Sequence, residues 1–187
     1  DFDSDWLAAH VEMLDASQNG EELLVTSVDV NRWELYGAYV DLKLGEVLGY
    51  DYTLRYGRQD LLYGSQHLIS PLDWANIRRN FEGFKLMARG AAWDIDAFAV
   101  RPVAPSAGNI FRPSGRDKAD ASRTFNGVYA TYHEMENQTL DVYWLWLREQ
   151  EPIPEFADGS RHTIGLRWAG THPIQDAGCQ ASREWSW

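Results

Sequence analysis

The sequence predicts an all-β chain, an antiparallel up-and-down transmembrane β-barrel of which about eight or nine strands are present. Three observations lead to this prediction. Apolar and polar residues alternate with period two in successive segments, as in strands with one dry and one wet face. Long and short connections alternate, as in a barrel with loops at one end and tight turns at the other. Tyr and Trp are concentrated on the apolar faces, where amphipathic rings suit a membrane–water boundary.

The predicted strands follow from the alternation in each segment. In the third segment, Tyr50, Tyr52 and Tyr56 oppose Asp51 and Arg55. The first segment also contains good helix formers, but its alternation favours a strand, and the sixth segment alternates weakly. The strands are Trp6–Leu14, Glu34–Leu44, Tyr50–Arg58, Gly83–Arg89, Ala92–Val100, Arg123–Tyr132, Gln138–Arg148 and His162–Trp168, with a ninth beginning near Gln180.

The connections indicate one partial barrel domain covering residues 1–187. Long loops occupy about 15–33, 59–82, 101–122 and 149–161, and short turns lie between them at 45–49, 90–91 and 133–137. This arrangement predicts that the long loops gather at one end of the sheet and the tight turns at the other.

Composition excludes several classes of protein. Nine Trp, nine Tyr and seven Phe exclude a disordered chain, and the longest apolar run, residues 143–147, is far shorter than a membrane helix. The net charge of −11 with no basic block argues against a nucleic-acid partner. One Cys and five His without metal-ligand spacing give no reason to expect a metal or another cofactor.

One segment carries a resemblance to a known family. Residues 57–83 read GRQDLLYGSQHLISPLDWANIRRNFEG, with a GRQ at a strand end, a YGSQ turn, a WAN and an FEG that enters the next strand. This segment resembles the alginate export family of outer-membrane β-barrels. His67 stands where that pattern suggests a base, and Glu82 replaces an expected Asp.

The resemblance implies a fold, a location and a function. Barrels of the family have about eighteen strands, so the chain would be a fragment of about half a barrel. It would lie in the bacterial outer membrane and contact outer-membrane lipid. Its function would be diffusion or export of an anionic polysaccharide or small anionic solute, with alginate or another polyuronate as the substrate class and periplasmic export partners. No bond is made or broken, so no enzyme is expected.

A pore for a polyuronate needs fixed positive charge at a constriction, and Arg suits carboxylates through its planar fork. The resemblance favours Arg58 and Lys85 as lumen bases, although strict alternation puts Arg58 on the Tyr56 face unless Gly57 forms a bulge. The alternative is that these bases pair with loop acids such as Asp60, Asp73 and Glu82. The candidate pore-lining bases are Arg55, Lys85, Arg89 and Arg167 on strands and Arg58, Arg78 and Arg79 at loops.

Asp94 and Asp96 lie two apart on one strand face and complete the predicted pore lining. A carboxylate pair serves glycosidases, but no substrate-binding cluster accompanies this one. We therefore expect both to be water-facing acids that compensate Lys85 and Arg89 across the hairpin at Gly90.

Two other functions remain open. A general outer-membrane porin shares the fold, and a soluble β-sandwich that binds carbohydrate shares the aromatic strands. The position of Tyr52, Trp144 and Trp168 discriminates between these classes. In a barrel they face lipid, whereas in a sandwich they are buried or line a sugar groove.

Overall fold

A computed structural model describes residues 1–16, 31–66, 68–72, 75, 78–104, 117–150, 159–176 and 179–186. Within these ranges the chain forms β-strands and no helix. The strands are β1 (Phe2–Asp3), β2 (Leu7–Ala16), β3 (Asn31–Val47), β4 (Tyr50–Gln59), β5 (Phe81–Gly90), β6 (Trp93–Ala104), β7 (Lys118–Ala119), β8 (Arg123–Tyr132), β9 (Gln138–Glu149), β10 (Gly159–Asp176) and β11 (Cys179–Ser186).

Ten of these strands form one open antiparallel sheet in which each pairs with its neighbours along the chain. The order is β1-β2-β3-β4-β5-β6-β8-β9-β10-β11, and the short β7 pairs with the end of β6. This up-and-down sheet confirms the predicted fold class and is consistent with part of a β-barrel. The strand ends that the long connections join lie at one end of the sheet, as the alternation of long and short connections predicts.

The predicted strands are all present; the sixth has the predicted bounds, Arg123–Tyr132, and each of the others differs at one end or both. The first is a strand, β2, as its alternation indicated, and the weakly alternating sixth segment is β8. β3 and β10 are longer than predicted, whereas β1 and β7 were not predicted at all. The turn between β3 and β4 is tight because both Leu48 (φ 53°) and Gly49 (φ 79°) have positive φ, which matches the right-handed twist of a hairpin.

The strand registers separate two faces of the sheet. The apolar face carries a continuous cross-strand row of Leu42, Leu54, Leu86, Ala97, Val128, Trp144 and Ile164. The opposite face, the polar face, carries two adjoining rows. One is Thr53, Met87, Asp96, Tyr129, Tyr143 and Gly165, and the other is Asp51, Arg89, Asp94, Thr131, Asp141 and Arg167.

Glycines on the polar face allow aromatic rings to lie flat against the sheet. A Cβ at Gly165 would overlap the Tyr143 ring, and one at Gly127 would lie 2.6 Å from Phe98. Each glycine faces its ring directly across a strand pair. The missing side chains therefore make room for the rings, which can lie close to the backbone of the sheet.

The hydrophobic core lies on the polar face rather than between two sheets. Residues 60–80, here called the β4–β5 loop, place Leu61 (fully buried) and Ile69 against Phe98, Val100 and Leu145. A connection therefore supplies part of the main core, and it covers the loop end of the polar face.

The apolar face is open to its surroundings. Trp144 is 46% exposed, Trp168 is 44% exposed and Ile164 is 80% exposed, and Tyr52 is half-buried. Within the described residues no second sheet covers them. A sandwich would bury this face, so the observed arrangement is that of a barrel wall with apolar side chains outward.

Candidate functional site

Four of the candidate bases project from β4, β5 and β10 onto the polar face. Arg55 stands directly opposite Lys85 across the β4–β5 pair, and Arg89 lies further along β5 towards the turn. Arg167 joins the same face from β10, in the row of Asp141. The alternation of the sequence thus brings Arg55, Lys85, Arg89 and Arg167 onto one surface, as predicted.

Arg55 makes a bidentate contact with a carboxylate. Its Nε and Nη2 each donate to Asp41 over 2.7 Å, and its guanidinium lies 3.7 Å from the centre of the Tyr39 ring. The Arg55 and Asp41 side chains are 19% and 14% exposed. This geometry fixes the guanidinium flat on the polar face.

Lys85 and Arg89 share the two acids of β6. Arg89 Nη1 lies 2.6 Å from Asp96 and its Nε lies 3.8 Å from Asp94, while Lys85 Nζ lies 3.9 Å from Asp96. The two acids compensate both bases across the Gly90 hairpin, as expected. Asp96 is not the water-facing acid that we expected, because it is 5% exposed and accepts a hydrogen bond from Tyr63. Arg89 is the more accessible base, with 42% of its side chain exposed against 11% for Lys85.

Arg167 belongs to a third polar group at the other side of this face. Its Nη1 donates to Asp141 over 2.8 Å, and Thr131 donates to the other oxygen of that carboxylate over 2.9 Å. Tyr129 also donates a hydrogen bond to Asp141. The Asp141 carboxylate is 2% exposed, so this group is held together by a buried acceptor with three donors.

The polar face is therefore close to charge balance in the described residues. Its four bases each lie within ion-pair distance of a carboxylate, and those carboxylates are Asp41, Asp94, Asp96 and Asp141. All of these partners come from other strands, and only the pairing across the Gly90 hairpin was predicted from the sequence. An anion that meets this wall meets bases whose charge is already partly compensated.

Arg58 lies elsewhere. The pairing of β4 with β3 and β5 runs through Gly57 without a register shift among these described residues, so the bulge considered for Arg58 is absent. Arg58 is in phase with Tyr56 and is buried, with Nη1 on Glu34 and Nη2 on the Asp117 carbonyl over 2.7 Å. The structure places it in a structural ion pair at the loop end of the sheet.

The two loop arginines are not part of the strand rows. Arg78 lies with its guanidinium 5.6 Å from the centre of the Tyr36 ring, near the end of the β4–β5 loop. Arg79 is exposed, and its backbone N–H donates to the Pro71 carbonyl. Among the described residues neither lies within ion-pair distance of a carboxylate, and Asp73 and His67 lie outside the described residues.

The β4–β5 loop is the part of the site that sequence reasoning missed. Tyr63 donates to Asp96 over 2.8 Å, and its ring lies 4.5 Å from Tyr129 and 5.8 Å from Phe98. Burial raises the pKa of the Tyr63 hydroxyl, as does the charge of Asp96. The loop is thus fastened to the polar face by a buried phenol as well as by its apolar side chains.

A second polar contact fastens the loop where it begins. Tyr36 donates to Asp60, and Asn80 donates to the Tyr36 carbonyl over 2.6 Å at the loop's other end. Burial holds the pKa of the Asp60 carboxyl above its usual range, although the Tyr36 hydrogen bond opposes this effect. The apolar residues at Leu61 and Ile69 were the available signal for this packing, because a purely solvated loop does not need them.

The apolar face carries a belt of rings at its turn end. Tyr50 and Tyr52 lie 6.4 Å apart, and Trp93 lies 5.0 Å from Tyr132. Trp168, in the same belt, donates its indole N–H to Gln138 over 2.9 Å. Rings with a dry body and a hydrogen-bonded edge are typical of the boundary between lipid and water.

Two features typical of other functional classes were not found. No helix in the described ranges is long and apolar enough to cross a membrane. Among the residues that the structure describes, no three His, Cys, Asp or Glu are grouped so as to hold a metal ion.

An open up-and-down sheet with one charged face, one exposed apolar face and an aromatic belt defines the class of outer-membrane β-barrel proteins. The particular family follows from a sequence comparison, in which the alginate export family model matches residues 3–185. The chain belongs to the alginate export family. Family membership indicates a bacterial outer-membrane protein of the transporter type with a function in export. No curated protein and no solved structure matches the chain.

Proposed function

We propose that the chain forms part of the wall of a bacterial outer-membrane export pore for an anionic solute, with alginate or another polyuronate as the substrate class. The solute diffuses along the polar face, and the apolar face contacts outer-membrane lipid. The observation that supports this proposal is that Arg55, Lys85, Arg89 and Arg167 all lie on the face opposite the exposed apolar row.

The bases act by exchanging partners. A substrate carboxylate competes with the wall carboxylate for the guanidinium, so binding stays weak enough for the solute to leave again. Arg89 is the best placed base because it is the most exposed of the four, although its Nη1 holds Asp96 at 2.6 Å and only its contact with Asp94, at 3.8 Å, is loose. Arg58 has no such part in this proposal, because its guanidinium is enclosed by Glu34 and backbone carbonyls.

A general porin is the second candidate, and the charge balance of the polar face favours it. A wall whose bases are matched by acids selects anions less strongly than a wall of unpaired bases. The two candidates differ in whether a polyuronate blocks the current, since only the export pore contains a site for it.

The test uses the full-length protein in a planar bilayer with polyuronate added to one side. We expect Arg89→Gln to shorten the blocked intervals by up to about fivefold, the equivalent of an exposed ion pair of roughly 1 kcal/mol. Lys118→Gln is the matched control, because Lys118 is an exposed base on β7 outside the polar rows.

A channel that conducts but is never blocked by polyuronate contradicts the export pore and leaves the general porin. Equal changes in Arg89→Gln and Lys118→Gln contradict the role of the polar face. A protein that does not conduct in either direction contradicts both candidates.

A further inference from the structure

A groove of about 430 Å³, here called the β6–β8 groove, runs along the apolar face. Its volume lies within the range of about 300–1,000 Å³ that is typical of sites for small molecules. The side chains of β6 on this face are small, at Ala97 and Ala99, whereas the strands on either side carry large ones. The walls of the groove are Phe84 and Leu86 of β5 and Trp144 and Trp146 of β9.

The β9 wall of the groove is fixed by polar and stacking contacts. The His162 ring stacks on Trp144 and on Trp146, with ring centres 5.9 Å and 5.3 Å apart. The Trp146 indole N–H also donates to the Ser160 hydroxyl over 2.9 Å. Because these rings are already ordered, an occupant of the groove gains their contact with little loss of side-chain entropy.

Towards the loop end of the sheet the groove becomes polar. It continues into a second hollow, and Phe84, Ala99 and Asn126 line both. The second hollow is also lined by Thr124 and Arg101. A surface that is apolar along its length and basic at one end matches a molecule with a hydrocarbon chain and an anionic head.

Two arginines lie at this end of the apolar face. Arg101 lies on β6 in phase with the small side chains of the groove, and Arg148 stands opposite Thr124 across the β8–β9 pair. Both are exposed, and among the described residues neither lies within ion-pair distance of a carboxylate. Glu82 stands opposite Arg101 in the sheet, but its carboxylate lies 3.4 Å from Arg58.

These two arginines differ from the bases of the polar face, each of which has a carboxylate partner. In a chain with a formal net charge of −11, bases without an acid beside an apolar groove indicate an anion from outside the chain. Only β8 separates the strands of Arg101 and Arg148, so their backbones are about 10 Å apart. Two extended arginine side chains can close that distance around one phosphate.

We propose that the β6–β8 groove binds one membrane lipid whose headgroup carries a phosphate. One acyl chain lies along Ala97 and Ala99, and Arg101 and Arg148 hold the phosphate through the planar donor fork of the guanidinium. The long loops of outer-membrane barrels are extracellular, so the lipid belongs to the outer leaflet. This location rests on the proposed function, in which the apolar face contacts lipid.

The experiment is native mass spectrometry of the full-length protein released from nonionic detergent micelles, with each probe titrated to obtain its affinity. The probes are dioleoyl phosphatidate, dioleoylglycerol and inorganic phosphate, which present phosphate and chains, chains alone and phosphate alone. We expect one phosphatidate to bind about thirtyfold more tightly than dioleoylglycerol, since two arginines at the membrane surface add to the chain contacts. Inorganic phosphate alone is expected to bind more weakly than phosphatidate.

A double variant tests the phosphate contact. Arg101→Gln with Arg148→Gln brings phosphatidate to the affinity of dioleoylglycerol. Lys118→Gln with Arg161→Gln is the matched control, because it removes the same charge from exposed bases at the loop end that do not line the groove. Unchanged heat-modifiable migration on a gel shows that each variant is folded.

A second pair of variants tests the chain contact. Ala99→Phe fills the groove and weakens phosphatidate binding about tenfold. Ile164→Phe adds an aromatic ring to the same face outside the groove, at a side chain that is 80% exposed, and leaves binding unchanged.

Equal affinity of the wild type for phosphatidate and dioleoylglycerol overturns the proposal, as does inorganic phosphate that binds as tightly as phosphatidate. Equal losses in the two double variants also overturn it, because net charge alone then explains the effect. Conduction in a planar bilayer is measured separately and reports on the pore. A conducting channel without preference for phosphatidate therefore refutes the lipid site and leaves the proposed function standing.

Discussion

Arg55 and Arg58 lie three residues apart on β4 and have different surroundings. Arg55 lies on the polar face against Asp41, with both side chains partly exposed at 19% and 14%. Arg58 is in phase with the apolar face and is enclosed with Glu34. The Arg58 side chain is 9% exposed and the Glu34 side chain is 3% exposed. The face and the depth of a base therefore decide how accessible its ion pair is, and in the proposed pore only Arg55 can exchange its partner with a solute.

The largest expected effect is the difference between Arg58→Met and Arg55→Met. Removing Arg58 leaves the Glu34 carboxylate buried without its ion pair, which costs about 3–5 kcal/mol of unfolding free energy. Removing Arg55 leaves a more accessible carboxylate and costs about 1–2 kcal/mol. Urea unfolding in lipid vesicles, followed by tryptophan fluorescence, measures both. Equal losses would contradict the structural role of Arg58.

A smaller effect is expected at Gly57, between the two arginines. A Cβ there would overlap the Ala38 carbonyl oxygen, and φ is +134°. Gly57→Ala should therefore lose about 1–3 kcal/mol from backbone strain and more from the forced separation of β3 and β4. Gly49→Ala is the control, since it shares the positive φ but has open space among the described atoms. The same unfolding assay applies, and similar losses in the two variants would show that the close approach is unimportant.

The smallest expected effect is a pH dependence of the stability of the β4–β5 loop, which follows Arg58. Because burial raises the pKa of Asp60, the packed loop is most stable below the usual carboxyl pKa of about 3.9. Its stability falls as the pH rises from there to the raised pKa, and then stays constant. Asp60→Asn should remove this pH dependence and increase the protection of the loop amides from hydrogen exchange at neutral pH.

Hydrogen exchange of residues 61–66, corrected for the intrinsic rate at each pH, checks this prediction. If protection of these amides in the wild type increases with pH, the predicted sign of the pH dependence is wrong. If the Asp60→Asn variant keeps the wild-type slope, the pH dependence does not come from Asp60 and the prediction is wrong.

The strands and their faces were predictable because alternation reports directly on which side chains share a face. Alternation alone therefore assigns Arg55, Lys85 and Arg167 to one surface, without knowledge of their partners. The pairing of Lys85 and Arg89 with Asp94 and Asp96 could also be predicted from the sequence, since a tight hairpin brings β5 and β6 side by side.

The remaining features depend on distant parts of the chain. Arg58 meets Glu34 across 24 positions and the Asp117 carbonyl across 59, and no local pattern encodes such contacts. The only sequence signal for the packing of the β4–β5 loop onto the sheet was the apolar character of Leu61 and Ile69. β7 is two residues long, which is too short for any periodicity to appear.

The pairing of each strand with its neighbours along the chain has a consequence for how such a sheet grows. Every hairpin closes through its own connection, so adding a strand costs the ordering of that connection and its strand and disturbs no earlier pairing. The unit of lengthening or shortening is then the hairpin. A duplication or deletion of two adjacent strands preserves the alternation of faces and the placement of loops and turns, and a barrel of this kind can change its circumference in steps of two.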